Sequence, residues 1–180
     1  DDVHLDGLFG KSISERENKI WHFHDHEHKI TAKIGTPEKI YEEAVKWTDL
    51  GVNKTGKTQA LFMDSNIKEE LNKAVFKAYV NSEIDQHSVG MRYVKIDLAL
   101  NDEDYKEEFA IWQKHINKIG NKDKAEKQGY FFAVSEAKLI EISAVSILSN
   151  LIVNPPKSSY TSSDSKTSHT GGAAGLTLTT

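Results

Sequence analysis

Gln86-His87-Ser88-Val89-Gly90-Met91-Arg92-Tyr93 opens the stretch on which the fold of this chain turns. Val89, Met91 and Tyr93 alternate with Ser88, Gly90 and Arg92, a period of two that predicts a β-strand over Gln86 to Leu100. The alternation falters between Val94 and Ile96, where a change of register is expected. Such a strand needs partners, and four segments offer themselves. Lys19 to His24 is apolar enough for a strand, and Ile30 to Gly35 alternates before stopping at glycine. Tyr130 to Val134 and Leu139 to Leu148 follow, the latter rich in β-branched residues as a core strand should be.

Helices are predicted around this sheet. Residues 66 to 80 carry an apolar stripe of Ile67, Leu71, Ala74, Val75 and Ala78, with Asn66 as cap and Glu69 as its capping-box partner. Residues 102 to 119 place Tyr105, Phe109, Trp112, Ile116 and Ile119 on one side, and Gly120 supplies a stop. Pro37 to Trp47 is ambiguous, with Ile40, Ala44 and Trp47 at helical spacing. Asn121 to Gln128 reads as a polar linker. The whole is α+β, a largely antiparallel sheet or barrel with two helices outside it.

Composition narrows the function classes. The 180 residues are 38% hydrophobic and 28% charged with a net charge of -4, which suits one folded domain and argues against a phosphate-driven nucleic-acid binder. There is no cysteine, which excludes disulfides, thiolate catalysis and cysteine zinc sites. No stretch approaches the roughly 20 apolar residues of a membrane span, so a soluble protein is expected. The first residues, Asp1-Asp2, read as those of a fragment or processed form. From Pro155 onward Ser, Thr, Gly and Lys dominate, which divides the chain into a domain over 1–153 and a disordered tail or linker over 154–180.

Three groups of residues could carry chemistry. His22, His24, His26 and His28 alternate, so on one extended strand all four would share a face. They could bind zinc, supply one general base, or simply lie on the surface at the end of a hairpin. Ser88, two residues before Gly90, sits where a substrate backbone could approach closely, and it needs a histidine to take its proton. His87 would point to the opposite face, so a histidine distant in sequence is the better base. Glu141 is a carboxylate inside the apolar run Leu139 to Val145; it reads either as an edge-strand glutamate facing water or as the group that orients a histidine.

Taken in order, Gly7-Leu8-Phe9, His24-Asp25, Ile34-Gly35, Ser88-Val89-Gly90 and Leu139-Ile140-Glu141-Ile142-Ser143-Ala144-Val145 resemble the HK97-type prohead proteases of tailed phages, over residues 6 to 150. The resemblance implies an antiparallel β-barrel with flanking helices, similar to herpesvirus assemblin. It implies a serine endopeptidase without cofactor or metal, in which Ser88 is the nucleophile, His24 the base and Glu141 the third member. Where the family offers one histidine this chain has four in seven residues, leaving His26 and His28 as alternative bases and the cluster His22, His24, His26 and His28 as an alternative metal site or metallohydrolase centre. A catalytically inert capsid-assembly domain is the remaining alternative. The implied substrates are the capsid scaffold protein, the major capsid protein and the chain itself, cut inside the assembling procapsid in the host cytoplasm. Neither nucleic acid nor membrane is an expected partner, and a homo-oligomer is compatible with this reading.

Overall fold

The structure, a computed structural model, describes residues 2–146 and 174–178. In chain order β1 (Asp2–His4), α1 (Gly10–Arg16), β2 (Trp21–His24) and β3 (Lys33–Lys46) come first. Next are β4 (Lys57–Ile67), α2 (Lys73–Val80) and β5 (His87–Leu100). α3 (Lys106–His115), α4 (Lys122–Gln128), β6 (Tyr130–Ala144) and the short β7 (Ala174–Leu178) complete the described elements. No described helix is long and apolar enough to cross a membrane.

β6 is the strand on which the sheet is assembled. β5 lies antiparallel along one of its edges, while β1 and β2 both run parallel to it along the other. β1 pairs with Phe132 to Val134 and β2 with Glu141 to Ala144. β2 then passes to β3 and β3 to β4, both antiparallel, and β7 runs parallel to β4. The fold is therefore α+β, but its sheet is mixed and open, not the antiparallel barrel that the family resemblance implied. Closure would need β4 or its neighbour to pair with β5, and among the described residues they form no ladder.

The two strands expected over Tyr130 to Val134 and Leu139 to Leu148 are one, as far as the described residues extend. Three irregularities keep it continuous: Ser135 and Ile140 on β6, and Val94 on β5, are skipped in the register. Each is an extra residue that bends and twists the ladder without ending it. The break expected between Val94 and Ile96 lies at two of these positions. α1 is tied beside the Ile140 irregularity, since the Leu139 N–H donates to Ser12 Oγ at 2.9 Å and the Ala137 N–H to the Leu8 carbonyl at 3.0 Å.

Long strand pairing overrides local signals elsewhere. Pro37 to Lys46 belongs to β3, not to a helix, because it is paired with β4 up to the Lys46–Lys57 pair. α2 begins later than the stripe suggests: Ile67 still belongs to β4, and the cap is Asn72, whose Oδ1 accepts the Val75 N–H at 3.1 Å. Asn121 to Gln128 is mostly helix α4 instead of a linker, ended by Gly129 at φ 75°. The expected tail over 154–180 lies outside the described residues except for Ala174–Leu178.

Two cores flank β6. One gathers Leu8, Phe9, Ile20, Ile34, Met63, Tyr79, Leu139 and Ile142 beneath α1 and α2. The other joins Val3, Trp112, Ile116, Phe131 and Ala133 beneath α3. Because Asn72 satisfies one of the otherwise unpaired N–H groups that start α2, Asn72→Ala is expected to cost about 1 kcal/mol, read as a lower urea midpoint with unchanged slope.

Candidate active site

β2 ends at His24, and Asp25 and His26 follow with φ of 51° and 55°. Two successive non-glycine residues in the left-handed region are uncommon and hold a sharp reversal. The turn is anchored by the Asp25 N–H on the Ala144 carbonyl at 2.8 Å and the Glu27 N–H on the His24 carbonyl at 3.1 Å. It carries His26 back over the end of β6. There His26 Nδ1–H donates to Glu141 Oε1 at 2.6 Å, and the His26 backbone N–H donates to Ser143 Oγ at 3.3 Å.

Glu141 is fully buried. Its second oxygen accepts the Ser143 hydroxyl at 2.5 Å, so each carboxylate oxygen has a donor. That arrangement is what a buried carboxylate requires, since burial without hydrogen bonds is costly. His28 Nε2 lies 3.9 Å from the oxygen that His26 occupies, and its ring rests 6.0 Å from that of Phe23.

Register places the expected nucleophile on this same face. Cross-strand partners point to the same side of a sheet, and in the β5–β6 ladder Ser88 is opposite Ser143 while Gly90 is opposite Glu141. His87 and Val89 point the other way, into the core. Ser88 is half-buried and makes no hydrogen bond to His26 or Glu141 among the described residues. Gly90 serves a purpose different from the expected close approach of a substrate. A Cβ there would lie 2.9 Å from Glu141 Cδ and collide with Oε1, so the missing side chain is filled by the carboxylate.

The four histidines do not share a face, because the strand stops before His26. In the parallel β2–β6 ladder His22 is opposite Ile142 and His24 opposite Ala144, both core-facing residues. His24 thus lies on the side of β2 away from Ser88, with Nδ1 3.3 Å from Asp25 Oδ2, while it is His26 that hydrogen-bonds Glu141. The alternative metal cluster of His22, His24, His26 and His28 is split in the same way, two on each side. No group of three metal-binding side chains converges among the described residues.

His22 belongs to the interior. Its Nδ1 is 3.0 Å from Ser65 Oγ and its Nε2 3.4 Å from the Tyr79 hydroxyl, which lies 2.9 Å from His87 Nε2. Burial, with a smaller contribution from His87, holds the His22 pKa well below its usual value. Trp21 and Phe23, opposite Glu141 and Ser143, border the site, with the Lys33 ammonium 3.1 Å from the Trp21 ring centre. Ser143 and the 25–26 reversal escaped the sequence reading. The spacing of Glu141 and Ser143 already put both on one strand face, whereas nothing local announced the turn.

No family model, curated protein or solved structure matches this chain.

Two outcomes follow from this geometry. Gly90→Ala pushes the new methyl into the Glu141 carboxylate, so a loss of about 1–3 kcal/mol is expected in urea unfolding. Proton NMR should at the same time lose the low-field resonance of the His26–Glu141 hydrogen bond. The depressed His22 pKa means that the unfolded chain takes up the proton first. Stability from this group is therefore complete above about pH 6.5 and falls as the pH drops below it, by at most about 1.4 kcal/mol per pH unit. His22→Asn should be less stable at pH 7.5 and show a shallower decline between pH 6.5 and 5, measured by urea midpoints.

Proposed function

We propose that this chain is a serine endopeptidase of the HK97-type prohead kind, with Ser88 as nucleophile, His26 as general base and Glu141 as the group that orients the base. The observation that carries the reading is the 2.6 Å hydrogen bond from His26 Nδ1 to the buried Glu141 carboxylate, on the face that Ser88 shares. A carboxylate holding Nδ1–H fixes the tautomer, leaves the Nε2 lone pair for a hydroxyl proton, and stabilises the imidazolium formed on proton transfer. The assignment of the base moves from His24 to His26.

The chemistry is acyl transfer. Nε2 of His26 takes the proton from Ser88 Oγ as that oxygen adds to the scissile carbonyl. The imidazolium then returns the proton to the departing amine, and water hydrolyses the acyl-serine with the same histidine as base. The reading requires the Ser88 hydroxyl to reach His26 Nε2 once substrate is bound; such contacts are commonly long before then. β5 has a partner strand on only one edge among the described residues. Its other edge, beside Ser88, suits an extended peptide that pairs as an added strand.

The kinship with assemblin-like proteases rests on the motifs in their order, and the substrates proposed with it are scaffold and major capsid protein segments and the chain's own ends. The setting is the assembling procapsid in the host cytoplasm, and the reaction needs neither cofactor nor metal ion. Co-expression with the neighbouring scaffold and capsid proteins, read by intact-mass spectrometry, tests this. Wild type and His24→Ala should process, while Ser88→Ala and His26→Ala should lose at least about a thousandfold in rate. Processing that survives in folded Ser88→Ala would end the peptidase assignment, and loss in His24→Ala alone would return the base to that residue.

A further inference from the structure

A serine inside the run Leu139 to Val145 calls for a reason, since alanine would fill the same place without a polar atom to satisfy. Ser143 is fully buried, and the two hydrogen bonds of its side chain both go to the candidate site. Its hydroxyl donates to Glu141 Oε2 at 2.5 Å, and the same oxygen accepts the His26 backbone N–H at 3.3 Å. A hydroxyl has one proton to give, and here it is committed to the carboxylate. Ser143 also stands opposite Ser88 on β5 and Phe23 on β2, at the middle of a row that crosses three strands.

Each of these bonds restrains a different partner. The last torsion of a glutamate is broad and roughly two-fold, so packing alone leaves the plane of its carboxylate loosely set. A donor on Oε2 fixes that plane, and with it the direction in which Oε1 accepts His26 Nδ1–H at 2.6 Å.

The second bond acts on the histidine. Its side chain is 41% exposed, so the ring relies on the backbone of the turn more than on packing. That backbone is strained, with Asp25 and His26 at φ 51° and 55°. Two successive N–H groups of the turn are fastened to β6, that of Asp25 to the Ala144 carbonyl at 2.8 Å and that of His26 to Ser143 Oγ. One oxygen atom thus restrains both the carboxylate and the main chain of the histidine that the carboxylate holds.

We infer that Ser143 is a positioning residue of the site, bridging Glu141 and the His26 main chain so that the imidazole is held in one orientation. It is not a second nucleophile: its oxygen is shut away from solvent and its proton is held by Glu141, whereas Ser88 opposite it is half-buried. The effect on catalysis rests on the peptidase reading. The effect on the His26–Glu141 hydrogen bond does not.

The test compares the full chain with Ser143→Ala and with Ser143→Thr, which keeps the hydroxyl. Proton NMR of the His26 Nδ1–H, in a Ser88→Ala background that removes self-processing, needs no substrate. The second readout, on chains with Ser88 intact, is reaction with diisopropyl fluorophosphate, in which Ser88 Oγ bonds to phosphorus and fluoride leaves, followed by intact mass. Ser143→Ala should broaden the resonance beyond detection and react about ten- to a hundredfold more slowly, and Ser143→Thr should restore both. A serine that only stabilises the fold would lower the urea midpoint of Ser143→Ala and leave the resonance and the rate, corrected for the folded fraction, as in wild type. That result would overturn the inference. Should a variant fail to fold, the unsubstituted residue decides: a Ser143 hydroxyl proton that exchanges slowly and cross-relaxes with the His26 amide supports the bridge, and fast exchange refutes it. A wild type that never reacts at Ser88, with the resonance still lost in Ser143→Ala, would sink the peptidase reading and leave the positioning role standing.

Discussion

A carboxylate with no exposure to water, Glu141, is the constraint around which this end of the molecule is built. Left without donors it would be among the costliest groups to bury. Two donors meet that demand, the ring of His26 and the hydroxyl of Ser143, and the bare Cα of Gly90 makes room for the carboxylate. Each comes from a different level of structure. Ser143 arrives by strand alternation, Gly90 by cross-strand register, and His26 by a strained turn. A group held so tightly is also a well-defined hydrogen-bond partner for the His26 ring.

The strands that carry this site use their two faces for different purposes. On one face of β2, β5 and β6 lie Phe23, Ser88, Gly90, Glu141 and Ser143. On the other, His22, Val89 and Ile142 join the larger core, and His22 reaches Ser65 and Tyr79 there. Histidines alternating in sequence therefore meet opposite fates. His22 is a buried neutral hydrogen-bonding group, and His26 is a half-exposed ring gripped by a carboxylate. Their separation depends on the chain leaving the strand after His24.

β6 also links the site to the rest of the fold. Its register irregularities at Ser135 and Ile140 let one strand serve two cores, with β1 and α3 at one end and β2 and α1 at the other. The extra residue at Ser135 falls between the Lys95–Glu136 and Ile96–Val134 pairs, while that at Ile140 lies next to Glu141.

The amino-acid sequence by itself determined the strand over 87–100 with its faltering register, the strand around Glu141, the α+β class, and the choice of Ser88 and Glu141 as residues of interest. These are legible because alternation and composition act over a few residues, as do the faces that alternation assigns. Tertiary structure decided what depends on partners far along the chain. Pairing with β4 turned Pro37 to Lys46 from a candidate helix into a strand, and parallel entry of β1 and β2 beside β6 left the sheet open. One turn at Asp25 and His26, stabilised by hydrogen bonds to residues 117 and 119 positions away in sequence, separates His26 from His22 and His24 and sets it against Glu141. Asp and His tolerate left-handed backbone better than most residues but seldom adopt it in succession, so the cost of the turn is offset only once β6 is in place to receive it.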